Sequence, residues 1–588
     1  MKKTILYALA AVALAGTSCT DMLDKSPRDR FINNPEFWNN TNQVESFCNT
    51  FYNEFIGYGI GGGSGWFYFK SLSDDQANNT FDNWTYTTVP GSSSDWSGHF
   101  TEVRRASYAL QGLKNSKLSN KAYFEAIARL NRAWHYYQLV RMYGDVQWIN
   151  TLVNDPTPNG ADKDVIMGKR TDRDVVMDSV LVDLDFAIAN LPAGAGQNSW
   201  SKEMATAMKS DICLYEGTYA KYRTEAENGK PASMERAEKY LKESVAASEA
   251  IMASKKFELA TQYGDIYNST NLAGNKEVIF YKNYEKDVHM HGLCDWTSGS
   301  TTQRGISKDL FDAFLFLDGK PLATTGMDKS DKVKLTELRT KEKEKEKEKE
   351  VIDTIYTIQN ALAVRDKRLS VLIDSVVCFK GYGWARLDEL GKSTGHAEMT
   401  SSTGYTIKKF DNTSLPLYYR ANTTTSYTDA PLYWYAVILL NEAEAKAELG
   451  TISQTDLDNT VNLLQARAGL KGLTTSPEAD PANNHGVSNL LWEIRRARRC
   501  ELALDNWYRY WDLVRWHQLD KLDSNKYPNI NRGANLTGVK NPVKIDDEGY
   551  IIATGKTRAF DAKYYFYPIP SNQISLNKET TQNPGWVK

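Results

Sequence analysis

A helical hydrophobic rhythm that returns along most of the chain restricts its fold more than any other feature. In KAYFEAIARLNRAWHYYQLVRMYG, residues 121 to 144, Phe124, Ile127, Leu130, Trp134, Tyr137 and Val140 recur at intervals of three and four, and Gly144 supplies a stop. The spacing predicts an amphipathic helix with an aromatic seam. Comparable patterns predict helices over 171 to 191, 203 to 223, 233 to 255, 433 to 449, which Gly450 ends, and 487 to 519. Short links between consecutive helices imply antiparallel pairs, and such pairs stack into a solenoid. No fixed period of about 34 residues with the tetratricopeptide consensus runs through them, so the pattern specifies helical-repeat-like packing and nothing finer.

Between the helical blocks, 56 to 100 and 264 to 430 are rich in Gly, Ser, Thr, Asn and aromatic residues, with short strand-like pieces at Val278 to Tyr281 and Tyr405 to Phe410. Loops of this kind usually carry function. The segment KEKEKEKEKE, 341 to 350, sets like charges four apart on a helix and opposite charges three apart, so it neither builds a core nor favours a helix. It reads as a charged, solvated excursion without a role of its own.

Charge excludes one class of partner. The 71 basic and 73 acidic residues give a net charge of −2, which supplies no field for holding nucleic acid. The 33 Tyr, 20 Phe and 15 Trp are a heavy aromatic load that needs a core or a ligand. Six dispersed cysteines without a C-x-x-C pair spell neither a disulfide scaffold nor a zinc knuckle. Cys19 stands apart from the others. It follows Lys2 and Lys3, the apolar run Ile5 to Ala15, and the small residues Gly16, Thr17 and Ser18, the layout of an export signal too short to span a bilayer. The expectation is a signal peptide over 1 to 18 and acylation of Cys19, palmitate included, as in a bacterial lipoprotein, although Gly16 stands where such sites prefer Leu. The alternative is a signal cleaved nearby, with Cys19 a bystander. Acyl chains at about 0.8 kcal/mol per buried methylene would anchor the folded domain through its tether, 19 to 34.

Motifs of enzymes and cofactor sites fail on inspection. GYGIGG at Gly57 to Gly62 fits G-x-G-x-x-G but follows a helix-like stretch and leads into no helix. GKST at Gly391 to Thr394 lacks the first glycine of a phosphate loop, Arg386 standing in its place. His289, His291 and Cys294 form H-x-H-x-x-C without an apparent fourth ligand, so polar loop residues or ligand contacts are the favoured reading and no metal is expected. Asp74 and Asp75 are adjacent, which on a strand turns them to opposite faces rather than across a glycosidase cleft. These failures argue against an enzyme and against a cofactor.

The aromatic loops are more informative. From Trp66 to Phe100 run Trp66, Phe67, Tyr68, Phe69, Phe81, Trp84, Tyr86, Trp96 and Phe100, interleaved with Asp74, Asp75, Gln76, Asn78, Asn79, Asp82 and Asn83, and with Lys70 as the single Lys or Arg. Rings beside carboxylates and amides suit a neutral polyhydroxylated ligand, whose C–H faces stack while its hydroxyls exchange hydrogen bonds. More than half of these rings are expected to be local packing. A second cluster holds Tyr281, Tyr284, His289, His291, Trp296, Gln303 and Arg304, and a third, GYGWAR, holds Tyr382, Trp384 and Arg386.

WEIRRARRCELALDNWYRYWDLVRW, 492 to 516, mixes Arg495, Arg496, Arg498, Arg499, Arg509 and Arg515 with Glu493, Glu501, Asp505 and Asp512, which predicts ion pairs around an aromatic seam rather than a basic docking face. This stretch resembles the C-terminal signature of the SusD/RagB family of surface nutrient-binding lipoproteins, an Arg-rich helix followed by an aromatic DL-x-RW segment, here Asp512, Leu513, Arg515 and Trp516. CTDMLDKSP at Cys19 to Pro27 resembles the mature N-terminus of that family, Ala128 to Val146 its first long helix, and Tyr564 to Trp586 its closing tail. Two positions depart from it: Trp434 and Val437 stand where the family pattern leads one to expect Arg and Glu, which suggests an ion pair replaced by packing.

The resemblance implies a mainly α fold, a tetratricopeptide-like scaffold over 35 to 263 and 431 to 588 with an irregular, loop-rich ligand-binding subdomain over 264 to 430 that contains short strands. It implies a lipid-anchored protein on the extracellular side of the outer membrane, seated as a lid on a SusC-like TonB-dependent transporter and delivering oligosaccharide for uptake. The same role with oligopeptide cargo, or a mainly structural lid with little affinity of its own, are the alternatives. On this reading Trp66, Trp84, Tyr86, Tyr284 and Trp296 are the stacking platforms, and Asp75, Asn78, Asn79 and Arg304 the polar contacts.

Overall fold

Serines begin several of the long helices. In the computed structural model, which describes residues 35 to 587 apart from 61–62, 155–159, 299–301, 345–346, 384–398 and 541–542, the N-terminal helices are α1 (Thr41–Asn49), α2 (Ser94–Lys114), α3 (Lys121–Tyr143), α4 (Arg173–Asn190), α5 (Lys202–Tyr222) and α6 (Met234–Ala253). The hydroxyls of Ser93, Ser201 and Ser233 accept hydrogen bonds from the backbone N–H of Trp96, Met204 and Arg236, satisfying donors that the first turn leaves open. From α2 onward, consecutive helices pack as neighbours. α5 and α6 approach so closely that a Cβ built on Gly217 would lie 2.8 Å from Leu241 Cγ and 3.0 Å from its backbone nitrogen. Gly217→Ala should therefore push the pair apart and cost about 1–3 kcal/mol; a melting temperature equal to that of the parent protein would show that the crossing adjusts freely.

Four further helices matter for the site: α7 (Lys308–Ala313), α8 (Tyr435–Leu449), α9 (Asn489–Glu501) and α10 (Tyr508–Arg515). The single helix expected over 487 to 519 is thus two. The chain leaves helical geometry between them because Leu504, Asn506 and Trp507 adopt left-handed backbone, with φ of 69°, 43° and 59°. Asp505 at this break is fully buried and takes two hydrogen bonds from Lys409 Nζ, at 2.8 and 2.9 Å. α2 likewise begins inside the stretch read as loop, its Ser93 cap and its buried Trp96, Val103, Ala106 and Leu113 forming a helical face.

The strands are short and form small sheets. β1 (Gln76–Ala77) pairs antiparallel with β3 (Gly305–Ile306), and β2 (Val278–Lys282) with β8 (Ala430–Trp434). A four-stranded sheet runs in the order β4 (Lys334–Glu344), β5 (Lys347–Thr357), β6 (Ile373–Val377), β7 (Tyr405–Ile407). Residues 341–344 and 347–350 of the Lys-Glu repeat, read from the sequence as a charged, solvated excursion, lie at the ends of β4 and β5. Their register sets Lys341 opposite Glu350, Glu342 opposite Lys349, Lys343 opposite Glu348 and Glu344 opposite Lys347. A period of two is a strand period, and folding the repeat back on itself places unlike charges across the ladder.

Two apolar bodies fill the interior. One lies among α1 to α6 and α10 and reaches Ile569 in the closing tail; the other joins the strand-bearing region to α8 and α9. Trp434 and Val437 are both fully buried in the second body, so packing occupies the place of the expected ion pair. Of the arginines of 492 to 516, Arg495, Arg498, Arg499 and Arg515 are buried and Arg496 and Arg509 half-buried, and all pair with acids. Arg515 makes two hydrogen bonds of 2.6 Å to Glu444, Arg498 bonds Asp512, and Arg495 bonds Glu448 at 2.7 Å. No described helix is long and apolar enough to cross a membrane.

Candidate ligand-binding site

Two strained turns meet and build the site. The left-handed turn at 504 to 507 bonds to the Trp66–Phe69 segment through Tyr68 N–H to Leu504 O, 2.9 Å. Tyr68 is itself left-handed, φ 57°, as is Phe81, φ 65°. Each such residue costs about 1–3 kcal/mol and persists only where its surroundings impose it. Phe81 and Trp507 both line one cavity of about 520 Å³. Asn78 makes the Phe81 turn possible: its side-chain oxygen accepts from Thr80 N–H and its backbone oxygen from Phe81 N–H.

The cavity combines ring faces with polar groups. Trp66, Phe69, Phe81 and Trp507 share its wall with Lys70, Asp82, Asn83 and Arg304. Trp66 is half-buried, its ring 5.8 Å from that of Trp134 at 44°. Trp507 stacks on Tyr510, 4.9 Å at 18°, and Lys70 Nζ lies 5.2 Å over its ring. Arg304 Nη2 is 3.6 Å from Asp82 Oδ1, and its backbone N–H donates to the Tyr68 hydroxyl. Among the described residues, Asp82 Oδ2, Arg304 Nε and Trp507 Nε1 are buried without a hydrogen-bond partner, capacity that a polar ligand could engage after small side-chain movements. A volume of this size suits a small ligand, with rings to cover its apolar faces and a few polar groups to orient it.

Of the residues named from the sequence, Trp66 and Arg304 line the cavity, and Trp296 stands beside it, edge-on to Phe69 at 5.9 Å. The others lie elsewhere. Trp84 is 6 % exposed, stacked on Tyr564 at 4.1 Å and 11°, with its indole N–H donating to Ala559 O. Tyr86 meets Tyr567 edge-on and pairs its hydroxyl with Ser93. Tyr284 is buried, and its hydroxyl donates to the carbonyls of Ile56 and Gly59. Asp75 is buried in a cluster with Asp74, Arg499 and Arg509 that ties the strand β1 region to α9. Burial and the neighbouring Asp74 carboxylate push Asp75 up to about 6, while Asp74, despite burial, is held below the usual carboxylate range by Arg499 and Arg509. These four side chains serve packing and pairing. Asn79 is exposed and its N–H donates to Ser402 Oγ, and Asn78 shapes the turn without lining the cavity. Cys19, Trp384 and Arg386 lie outside the described residues.

The H-x-H-x-x-C motif does not gather ligands. His291 uses both ring nitrogens, one with Thr428 and one accepting from Leu293 N–H; Cys294 Sγ bonds Phe410 O, and His289 stacks on Tyr284. Trp507 and Trp134 are wall residues that sequence reasoning left among the helices. The signal for Trp507 was available: Asp505-Asn506 inside a helical pattern is a turn dipeptide, and Asn tolerates left-handed backbone.

Comparison with known proteins agrees with this architecture. Residues 248–586 match the SusD family model, and residues 64–214 match a model described as starch-binding associating with outer membrane. The chain belongs to the SusD family. This SusD-family protein is therefore a binding protein and not an enzyme, of a class associated with the outer membrane. No curated protein matches it by sequence. Among solved structures it is similar to a SusD-like carbohydrate binding protein from Bacteroides fragilis, with 19% identity and a TM-score of 0.67 over 92% of this chain and 99% of the other. A laminarin binding SusD-like protein matches at 18% identity and 0.55, over 93% and 100%. Surface glycan-binding protein A from Bacteroides fluxus matches at 16% and 0.56, over 93% and 100%. At such identities the likeness shows a shared, mainly helical SusD-like fold with short strands in small sheets.

Proposed function

We propose that this SusD-family chain captures an oligosaccharide in the cavity framed by Trp66, Phe69, Phe81 and Trp507 and delivers it, as a lid, to a SusC-like TonB-dependent transporter. On this proposal Cys19 carries the lipid that anchors the protein at the outer surface of the outer membrane. The observation that carries the reading is the convergence of these rings around the Asp82–Arg304 pair. A sugar ring presents C–H faces to indoles and hydroxyls to a carboxylate and a guanidinium, which is the chemistry this wall offers. The family match and the glycan-binding names of two structural relatives support the same choice of ligand class.

An open platform of this kind binds weakly, with a dissociation constant on the order of 1 mM, equivalent to about −4 kcal/mol. Isothermal titration against plant, host and microbial oligosaccharides, with an oligopeptide pool alongside, tests the proposal. Heat with one glycan class, reduced about tenfold by Trp66→Ala without a change in melting temperature, is the expected result. Heat with peptides alone would replace glycan by peptide cargo, and silence throughout would leave a lid whose site the transporter completes.

A further inference from the structure

In the wall of the cavity, Glu54, His99 and His135 belong to a cluster that the ligand reading does not use. His135 of α3 is 1 % exposed. Its Nδ1 sits 3.0 Å from His99 Nδ1 of α2, so one ring donates to the other. Its Nε2 is buried without a hydrogen-bond partner among the described residues; the Glu54 Oε2 atom near it is at 3.9 Å, beyond hydrogen-bond length. Neither tautomer of His135 repairs this, because the hydrogen bond at Nδ1 fixes the ring whichever histidine donates. A buried polar atom left unmatched in this way needs an explanation.

Carboxylates surround that nitrogen. One ligand atom each from Glu54, Glu102 and His135 lie within 4.8 Å of one another, so that rotations of the two glutamate side chains would be needed to bring the three onto one ion at roughly 2.0–2.2 Å. Arg105 is the nearby counter-charge, with Nη2 at 3.2 Å from Glu54 Oε1 and 2.6 Å from Glu102 Oε2. The second contact lies off the hydrogen-bonding direction, so Glu102 Oε2 also lacks a hydrogen-bond partner among the described residues. One guanidinium therefore faces two carboxylates. It leaves Glu54 Oε2, the oxygen turned toward His135, to another cation.

We propose that Glu54, Glu102 and His135 form a binding site for a single divalent transition-metal ion, zinc before the others, beside the cavity wall. One imidazole nitrogen and two carboxylate oxygens are a donor set that zinc accepts, and three protein ligands leave a coordination position for water or a ligand oxygen. His99 is the positioning residue: when His135 Nδ1–H donates to it, the Nε2 lone pair is turned toward the carboxylates, as the partners of metal-bound imidazoles do. Arg105 engages Glu54 Oε1, the oxygen that the ion would not use. Because Glu54 and His135 also line the cavity, the ion would sit where bound ligand could reach it. The proposal is independent of which cargo the cavity takes.

The test is zinc titration of the chelator-stripped full chain, followed by calorimetry, with His135→Gln and Glu102→Gln as variants. The expected result is one site per chain, weakened at least tenfold in each variant, with parent and variants showing the same far-UV circular dichroism. Glu102 is partly exposed, so Glu102→Gln remains informative if the histidine variant fails to fold. X-ray absorption of the zinc-loaded protein should show one imidazole with oxygen ligands and no sulfur. Absence of binding by the parent, or binding equal in parent and Glu102→Gln, would overturn the proposal and leave Arg105 as the cluster's sole counter-ion.

Discussion

Replacing Glu444 by Gln should lower stability by about 3–5 kcal/mol, the largest single effect expected outside the apolar core. Glu444 is fully buried on α8, where it accepts two hydrogen bonds from Arg515 and one from the indole N–H of Trp516. Gln keeps the shape but leaves the Arg515 guanidinium, 2 % exposed on its side chain, with Asp512 as its remaining carboxylate partner. Burial by itself would raise Glu444, yet Arg515, Arg498 and Arg495 together hold it down to about 2. A carboxyl lowered in the folded state contributes stability that is complete above its unfolded value of about 4.3 and is lost as pH falls toward 2. Calorimetric scans between pH 5 and 2 should therefore converge for the parent and Glu444→Gln as acidity rises. Parallel melting curves across that range would show that Glu444 contributes no charge to the fold.

The second large effect concerns binding. Trp507→Ala should weaken glycan affinity about 30-fold, corresponding to about 2 kcal/mol, as for an aromatic anchor at the centre of a site. Trp84→Ala gives the contrast. Trp84 lies beneath Tyr564 with its N–H committed to Ala559, so its truncation should cost about 3–5 kcal/mol of stability and leave affinity measured well below the melting temperature unchanged. If Trp84→Ala abolished binding and Trp507→Ala did not, the site would lie at the tail face of the molecule rather than in the cavity.

Trp84, Trp66 and Trp507 also show how much of the site could be read beforehand. From composition alone Trp66 and Trp84 are equivalent: both are loop tryptophans among amides and carboxylates. They part because Tyr564, hundreds of positions away, closes over one and not the other. Tyr284 is buried by the same kind of distant contact, with the carbonyls of Ile56 and Gly59. Asp75 looks like a ligand group in the sequence because its arginines, Arg499 and Arg509, are as far along the chain. Trp507 is hidden in the sequence for the opposite reason, since the helical period on either side is strong and the interruption lasts only six residues, 502 to 507.

What the sequence determines by itself is local and periodic. The positions of most of the long helices, the Gly stops after Tyr143 and Leu449, the strands at Val278 and Tyr405, and the local pairs Arg496–Glu493 and Arg515–Asp512 follow from spacing within a few turns of chain, whereas Arg495, Arg499 and Arg509 find their acids in distant segments. The Lys-Glu repeat adds a case in which the local pattern was present and the wrong period was applied to it: strict alternation is the strand period, and a hairpin sets unlike charges across from each other. The tertiary structure alone decides which aromatic side chains remain open to a ligand. Burial depends on what a distant segment places over a ring, and the break between α9 and α10 is held by Lys409 on Asp505, an ion pair that no neighbouring residue announces.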